Sequence, residues 1–247
     1  MTLPPEAFLH ADWPAPPGVR ALQTTRLGGS SQGPYGGFNL ASHCGDDPAA
    51  VARNRALLRE SLALPAEPAW LNQVHGCAVA RAPVAGLPSA DAGVAEGRGQ
   101  VCVVLTADCL PVLFCAEDGS AVAAAHAGWR GLAGGVLEAT VAALRRPPGR
   151  LLAWMGAAIG PASFEVGPEV REAFVAQDAD AAACFRPGRP GKLQADLYAL
   201  ARLRLRRAGV ERIHGGGLCT VEDARRFFSF RREPACGRMA SLIWIGS

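Results

Sequence analysis

The sequence predicts a single layered α/β domain over residues 1–247, with mixed β-sheets flanked by helices. Three observations predict it. A chain of 247 residues, 49% hydrophobic and 19% charged, can bury a large core, which excludes a disordered chain. Its centre carries three short, near-continuous apolar runs, the pattern of strands covered on both faces. Helical patterns interleave with such runs along the whole chain, without a linker between them. No apolar run reaches the ~18–20 residues that a membrane span needs, so no membrane partner is expected.

In chain order, a Pro-rich lead-in from Pro14 to Gly18 precedes a strand over Val19 to Thr25. Gly28 to Asn39 is rich in Gly, Ser and Pro and reads as a loop. Asp46-Asp47-Pro48 is a helix start, with Asp as the cap and Pro in the first turn. That helix runs to about Leu62 with Val51, Leu58 and Leu62 on one face. After a break at Pro65 to Pro68, Ala69 to Val74 and Ala78 to Ala82 are strand candidates flanking Gln73-Val74-His75-Gly76. The three central runs are Val101 to Leu105, Pro111 to Cys115 and Ser120 to Ala125. The turn Gly128-Trp129-Arg130-Gly131 leads into a helix reaching about Arg146, with a Leu137/Val141/Leu144 stripe. Then come a strand over Leu151 to Ile159, a helix from Pro168 capped by Gly167, and an amphipathic helix from Asp196 to Ala208 ended by Gly209. Val210 to Ile213 and Ser241 to Ile245 close the chain as strands. The buried strands and the leucine stripe predict a core large enough for a monomer to stand alone.

The net charge is +3 and the pI about 8.5, below the pI of about 9 that marks a nucleic-acid domain. The basic residues are 24 Arg against one Lys, Lys192, and the run Arg202 to Arg207 reads as the solvated face of a helix. No nucleic-acid partner is expected.

Eight cysteines, Cys44, Cys77, Cys102, Cys109, Cys115, Cys184, Cys219 and Cys236, form no C-x-x-C pair, which excludes a zinc ribbon or a thioredoxin-type motif. The N-terminus lacks the basic and apolar regions of an export signal, so the expected compartment is the cytoplasm, where thiols stay reduced. Most of the eight read as small buried hydrophobes.

Cys109 differs. It ends an apolar run in Thr-Ala-Asp-Cys-Leu-Pro, and His126 ends the next run in Ala-His-Ala-Gly-Trp-Arg-Gly. His75 lies between two strand candidates, and the chain has only five histidines. Two chemistries fit a Cys-His-His set. Three protein ligands on a zinc leave a fourth position for water or substrate. Alternatively, Cys109 is a thiolate nucleophile and His126 its base. Gly128 and Gly131 permit close backbone approach, and a helix starting at Gly131 beside Arg130 would offer free N–H groups to an anion. Arg26 on its Gly-rich loop and the pair Arg231-Arg232 are further anion candidates.

Longer motifs run through the chain: Thr-Arg-Leu-Gly-Gly at 25–29, Phe-Asn-Leu at 38–40, Cys-Gly-Asp-Asp-Pro at 44–48 and Trp-Leu-Asn-Gln-Val-His-Gly at 70–76. They continue with Thr-Ala-Asp-Cys-Leu-Pro-Val-Leu-Phe at 106–114, Ala-Ala-Ala-His-Ala-Gly-Trp-Arg-Gly at 123–131, Ile-Gly-Pro at 159–161 and Phe-Glu-Val-Gly at 164–167. The last are Cys-Thr at 219–220, Phe-Phe-Ser-Phe-Arg-Arg at 227–232 and Gly-Arg-Met-Ala-Ser at 237–241. In this order they resemble the multicopper polyphenol oxidoreductase (laccase-like) family, also described as purine nucleoside phosphorylases, and its bacterial peptidoglycan editing factor subgroup. Gly-Val-Ala-Glu at 93–96 departs mildly, since relatives are usually more polar there.

The resemblance implies a layered α/β domain similar to the cysteine-hydrolase-like fold of deamidating toxins. It implies a zinc site at His75, Cys109 and His126, with copper as the alternative that the oxidase label carries. It implies phosphorolysis of adenosine, inosine or methylthioadenosine, and deamination of adenosine. Purine nucleoside and phosphate are then the partners, with Arg26 near the substrate and Asn39, Gln73 and Arg130 in matched binding motifs. Deamination needs a proton donor, and Asp91, Asp108 and Glu165 are candidates among which the sequence does not choose. Three alternatives stand beside this reading: a cysteine hydrolase or amidase editing a peptidoglycan precursor, a copper-dependent polyphenol oxidase, and a non-catalytic binding protein. Five histidines are too few for a multicopper array.

Overall fold

Alternation along each strand sets the layering. The computed structural model describes residues 2–246. The first half contains β1 (Phe8–His10), β2 (Val19–Thr24), α1 (Pro48–Ser61), β3 (Val79–Arg81), β4 (Ala92–Ala95), β5 (Val101–Thr106), β6 (Leu110–Ala116) and β7 (Val122–Ala127). The second contains α2 (Trp129–Gly134), α3 (Val136–Leu144), β8 (Leu151–Met155), β9 (Glu165–Val166), α4 (Pro168–Val175), β10 (Phe185–Pro187), β11 (Leu193–Ala195), α5 (Leu197–Arg207), β12 (Arg212–Gly215) and β13 (Met239–Ile245).

The fold is mixed α/β with three sheets. Six strands run in the order β12-β8-β6-β7-β4-β3, four in the order β1-β2-β13-β5, and three in the order β10-β11-β9. The six-stranded sheet is mixed, since β12 joins β8 and β3 joins β4 in parallel while its other pairs are antiparallel.

Successive side chains of a strand face opposite ways. On β6, Leu110, Val112 and Phe114 pack with Leu137 and Val141 of α3 and Leu200 and Leu205 of α5. Leu113 and Cys115 of the same strand pack the other way, onto Cys102 and Val104 of β5 and Ile243 of β13. Val101, Val103 and Leu105 of β5 face outward with Leu58 of α1 and Trp70. The order of layers is therefore helices, six-stranded sheet, four-stranded sheet, helix. Both faces of β5, β6 and β7 are covered, which explains their unbroken apolar runs. Each fully buried Leu or Val contributes about 1.5–3 kcal/mol of transfer free energy, so the central strands dominate the stability.

Asp47 caps α1 by accepting from the Ala49 N–H, and Asp196 caps α5 by accepting from the Ala199 N–H. Four expectations change. The helix expected to run unbroken to Arg146 is two helices, because Gly135 takes a left-handed φ of 100°. It also begins at Trp129 rather than at Gly131. Ala69 to Val74 forms only isolated bridges, from Ala69 to Cys102 and from Asn72 to Ser89. The strand from Leu151 stops at Met155, where the chain turns across the β6 end and the Gly156 N–H donates to the Pro111 carbonyl. Among the described residues, no helix is long and apolar enough to cross a membrane.

Candidate metal centre and substrate cavity

The chain passes from one sheet to the other in three residues. Ala107, Asp108 and Cys109 link β5 of the four-stranded sheet to β6 of the six-stranded one. So short a crossing forces Asp108 to a φ of 88°, a region that costs a non-glycine residue on the order of 1–3 kcal/mol. Both Asp108 carboxylate oxygens hold the turn: Oδ1 accepts from the Thr220 hydroxyl at 2.6 Å and Oδ2 from the Arg231 N–H at 2.6 Å. The Ile159 N–H donates to its carbonyl at 2.9 Å. Cys109 is thus presented at the open end of both sheets.

His126 comes from the end of β7, directly opposite Pro111 of β6. His75 arrives on the loop before β3, with a φ of 59°. Asp91, fully buried before β4, organises both histidines. One of its oxygens lies 2.8 Å from His126 Nδ1, and the carboxylate also accepts from the backbone N–H groups of Val74, His75 and Gly76. The left-handed His75 is held by these three donors. The same carboxylate fixes His126 with Nδ1 turned away from Cys109, which leaves Nε2 for the site.

The result is a three-donor cluster. One ligand atom from each of His75, Cys109 and His126 lies within 4.8 Å of the others, with Cys109 Sγ 3.8 Å from His75 Nε2. The imidazole rings meet edge-on at 4.8 Å. Gly128 makes room for this approach: a Cβ there would sit 2.9 Å from Cys109 Sγ and 2.8 Å from the His75 ring. This group could hold a metal, and its Asp91–His126 pair is the outer support such a ligand needs.

The electrostatics agree. Burial pushes the Cys109 thiol up, but charge on His126 and hydrogen bonds to His126 and His75 outweigh it and bring it down to about 6. Burial likewise disfavours charge on His126, yet the Cys109 thiolate and Asp91 raise it to about 9. Burial also works against ionised Asp91, and the His126 hydrogen bond with the backbone donors holds its carboxyl below the usual range. Without metal, the cluster is a thiolate–imidazolium pair backed by a carboxylate.

A cavity of about 410 Å³ opens over the cluster. Trp129, Ile159, Phe164, Leu197 and Phe230 give it apolar walls, and Gln73, Thr106, Asp108, His43, Arg231 and Arg238 bring polar groups. Gln73 is fixed by a pair of hydrogen bonds to the backbone of Leu105, at 2.8 and 2.7 Å. Of the four residues expected in substrate-binding motifs, Arg26, Asn39, Gln73 and Arg130, Gln73 is the one that lines this cavity. Arg26 lies outside the lining: its guanidinium stacks on Phe228 at 4.7 Å and donates to the carbonyls of Ala224 and Gly36. Asn39 is fully buried, bonding the Ala41 and Arg238 backbone and Asp46. Arg130 is exposed and stacks on Trp129 at 4.5 Å. Gly131 packs against the Gly76 carbonyl, so the helix start expected to receive an anion faces the His75 loop.

Among the proton-donor candidates, Asp108 lines the cavity. Asp91 is buried behind His126, and Glu165 is bound by Arg189 in a two-pronged pair. Arg232 spends its guanidinium on the carbonyls of Thr220, Val221 and Phe227, whereas its neighbour Arg231 reaches the cavity. Sequence reasoning missed His43, Trp129, Phe164, Phe230 and Arg238. All five stand in or beside matched motifs, but only the fold brings those motifs to one opening.

Residues 20–246 match the family described as multi-copper polyphenol oxidoreductase laccase, and the chain belongs to that family. It is 54% identical to a purine nucleoside phosphorylase of Pseudomonas aeruginosa, over 97% of this chain and 98% of that protein. It is 53% identical to the purine nucleoside phosphorylase YfiH of Escherichia coli, over 94% of this chain and 96% of that one. A crystal structure of a Neisseria meningitidis protein superimposes with a TM-score of 0.95 at 53% identity, covering 98% of this chain and all of that one (100%). YlmD from Geobacillus stearothermophilus superimposes with a TM-score of 0.89 at 30% identity, covering 98% and 97%.

Proposed function

We propose that the protein is a zinc-dependent purine nucleoside enzyme, one catalytic domain over residues 1–247. It cleaves adenosine, inosine and methylthioadenosine with phosphate to free base and sugar 1-phosphate, and it deaminates adenosine. The names of the relatives support the substrate class. The observation that carries the metal reading is His75. A thiol nucleophile needs only Cys109, His126 and Asp91. Yet the chain holds His75 in the left-handed region and brings its Nε2 to Cys109, completing three donors. Two nitrogens and one sulfur with an open side suit zinc. Copper oxidation is the weaker reading, because a multicopper array needs several times this donor set.

Zinc, held by His75, Cys109 and His126, would supply Lewis-acid polarisation of a bound oxygen. The chain does the rest. The aromatic and aliphatic walls suit a purine ring, and a volume of about 410 Å³ falls within the range of small-ligand pockets. In phosphorolysis a phosphate oxygen bonds to C1′ of the sugar as the C1′–N9 bond breaks. The electron pair leaves with the base, which takes up a proton. In deamination the oxygen of water bonds to C6 while one of its protons passes to the ring, and the C6–N bond then breaks as the amino group takes up the remaining hydroxyl proton and leaves as ammonia. Of the three proton-donor candidates Asp108 is the one that lines the cavity, with both its oxygens accepting hydrogen bonds in the turn. A reducing, cytoplasmic setting belongs to the same reading, and all eight cysteines are free.

One observation favours a second reading. Cys109, His126 and Asp91 stand in the order of a Cys-His-Asp hydrolase, which suits an amidase acting on a peptidoglycan precursor. Metal analysis of protein purified without chelator separates the two. About one zinc per chain is expected, with phosphate-dependent release of base from inosine that His75→Ala abolishes. A zinc-free protein whose amide hydrolysis survives His75→Ala would sink the first reading.

A further inference from the structure

Several arginines near the surface are matched to acids. Arg189 pairs with Glu165, Arg204 with Glu138, Arg207 with Asp178 and Asp180, and both Arg150 and Arg212 with Glu117. The two arginines of the cavity are different. The Arg231 guanidinium donates to the Glu165 carbonyl at 2.9 Å and lies 5.7 Å from the Phe164 ring. The Arg238 guanidinium donates to the carbonyls of Cys236 and Gly237 and lies 5.6 Å from the Phe230 ring. Among the described residues neither has a carboxylate partner. In both, one nitrogen is tethered to backbone and the ring steadies the plane. The remaining N–H groups of each fork are left for another acceptor.

The two forks are placed for a ligand. Both line the cavity that also opens on His75, Cys109 and His126. The Arg231 backbone is bonded to Asp108, the residue before Cys109. His43 lines the same wall, and after burial the charge of Arg238 is the main influence holding its pKa low. Both Asp108 oxygens accept from neutral donors in the turn, and its carboxylate pairs with neither guanidinium.

We propose that Arg231 and Arg238 form an oxyanion subsite that binds inorganic phosphate in the cavity, within reach of a nucleoside seated over the His75–Cys109–His126 group. Two planar forks can each grip two oxygens of a tetrahedral dianion. The inference rests on the phosphorolysis reading for the identity of the anion. It moves the phosphate grip away from Arg26 and Arg130, neither of which lines the cavity.

Equilibrium dialysis of the purified protein with radiolabelled inorganic phosphate tests it without turnover. Arg231→Gln and Arg238→Gln should each weaken phosphate binding about tenfold or more, since hydrogen bonds to charged groups are the strong ones. Arg231→Gln keeps the backbone bond to Asp108 and gives up only the side-chain bond to the Glu165 carbonyl. Arg206→Gln, on the solvent face of α5, should bind phosphate as the parent does. Phosphate binding lost in Arg130→Gln but kept in both cavity variants overturns the proposal. So does a parent protein that binds a nucleoside 5′-monophosphate with no competition from inorganic phosphate, or that binds neither. Phosphorolysis undiminished in both cavity variants removes the subsite but leaves the enzyme reading. Phosphate bound through Arg231 and Arg238 with no base release from any nucleoside removes the enzyme reading but leaves the subsite.

Discussion

Three cysteines on two consecutive strands and the crossing between them show how much environment decides. Cys102 on β5 and Cys115 on β6 are fully buried between the two sheets. Burial, unopposed or nearly so, pushes each thiol up to about 12. Cys109 lies in the short crossing between the same strands and is brought down to about 6. The side chain is identical in all three. What differs is the imidazolium of His126, the His75 ring and the carboxylate behind them. The layers make two of the cysteines inert packing, and the crossing makes the third a thiolate.

The largest expected effect breaks or sharpens that contrast directly. At pH 7 a thiol near 6 is mostly thiolate, whereas one near 12 is ionised to about one part in 10⁵. In metal-depleted protein, iodoacetamide should label Cys109 at least a hundredfold faster than Cys102 or Cys115, as read by peptide mapping. A lower pKa also lowers nucleophilicity, so the contrast is smaller than the ionisation ratio. Prior addition of zinc should suppress the Cys109 reaction. Equal labelling of the three would remove the premise.

Next in size is His126→Ala. It takes away one donor of the cluster and leaves Asp91 buried with only its backbone donors. Bound zinc should fall below a tenth of the parent value by metal analysis. Stability should drop by about 3 kcal/mol in denaturant unfolding, because the surviving charge loses its partner. Asp91→Asn keeps the shape but not the charge and should weaken zinc binding by about 10–100-fold.

How much of this was legible in the sequence follows the same division. The runs of β5, β6 and β7 could be read because both faces of each strand are covered and every residue is apolar. Cys109 and His126 stood out because they end such runs. Short strands such as Ala92–Ala95 could not be read: Ala-Gly-Val-Ala carries little β-branched signal, and its burial comes from tertiary packing. Asp91 entered the sequence reading as a proton donor and turns out to be the support behind His126. No local pattern says that a loop N–H at 74–76 and a strand end at 126 will meet one carboxylate. Likewise Arg231 and Arg238 lie seven positions apart and face one cavity only because the loop before β13 folds back over the crossing.

A smaller effect is a count of protons. The metal takes the thiolate and the neutral imidazole. Between about pH 6 and about pH 9 the free pair holds Cys109 ionised and His126 protonated, so zinc binding should release one proton from the pair. Below about 6 it should release two, and above about 9 none. Calorimetry in buffers of different ionisation enthalpy reads these numbers. The sign also sets the pH dependence: as pH falls through the lower value, zinc must displace a second proton, and apparent affinity drops more steeply. A constant proton count from pH 5 to pH 10 would remove the thiolate–imidazolium pair.

The smallest effect separates packing from chemistry. Cys115→Ala removes one buried atom between the sheets, where Leu113, Leu152 and Ile243 already fill the layer. It should cost about 1 kcal/mol in unfolding free energy, by lost transfer plus a small void. Zinc content should stay at the parent value. Cys109→Ala should do the reverse. Its side chain is only partly buried, at a crossing held by the Asp108 carboxylate rather than by core contacts. In the metal-depleted protein at pH 5, where the thiol is protonated, deleting it leaves Asp91 still paired with His126, so stability should change by under 1 kcal/mol. Zinc binding should nevertheless be lost. A Cys109→Ala variant that unfolds more readily than Cys115→Ala without metal would mean that the crossing, not the sandwich interior, is where the thiol contributes to the fold.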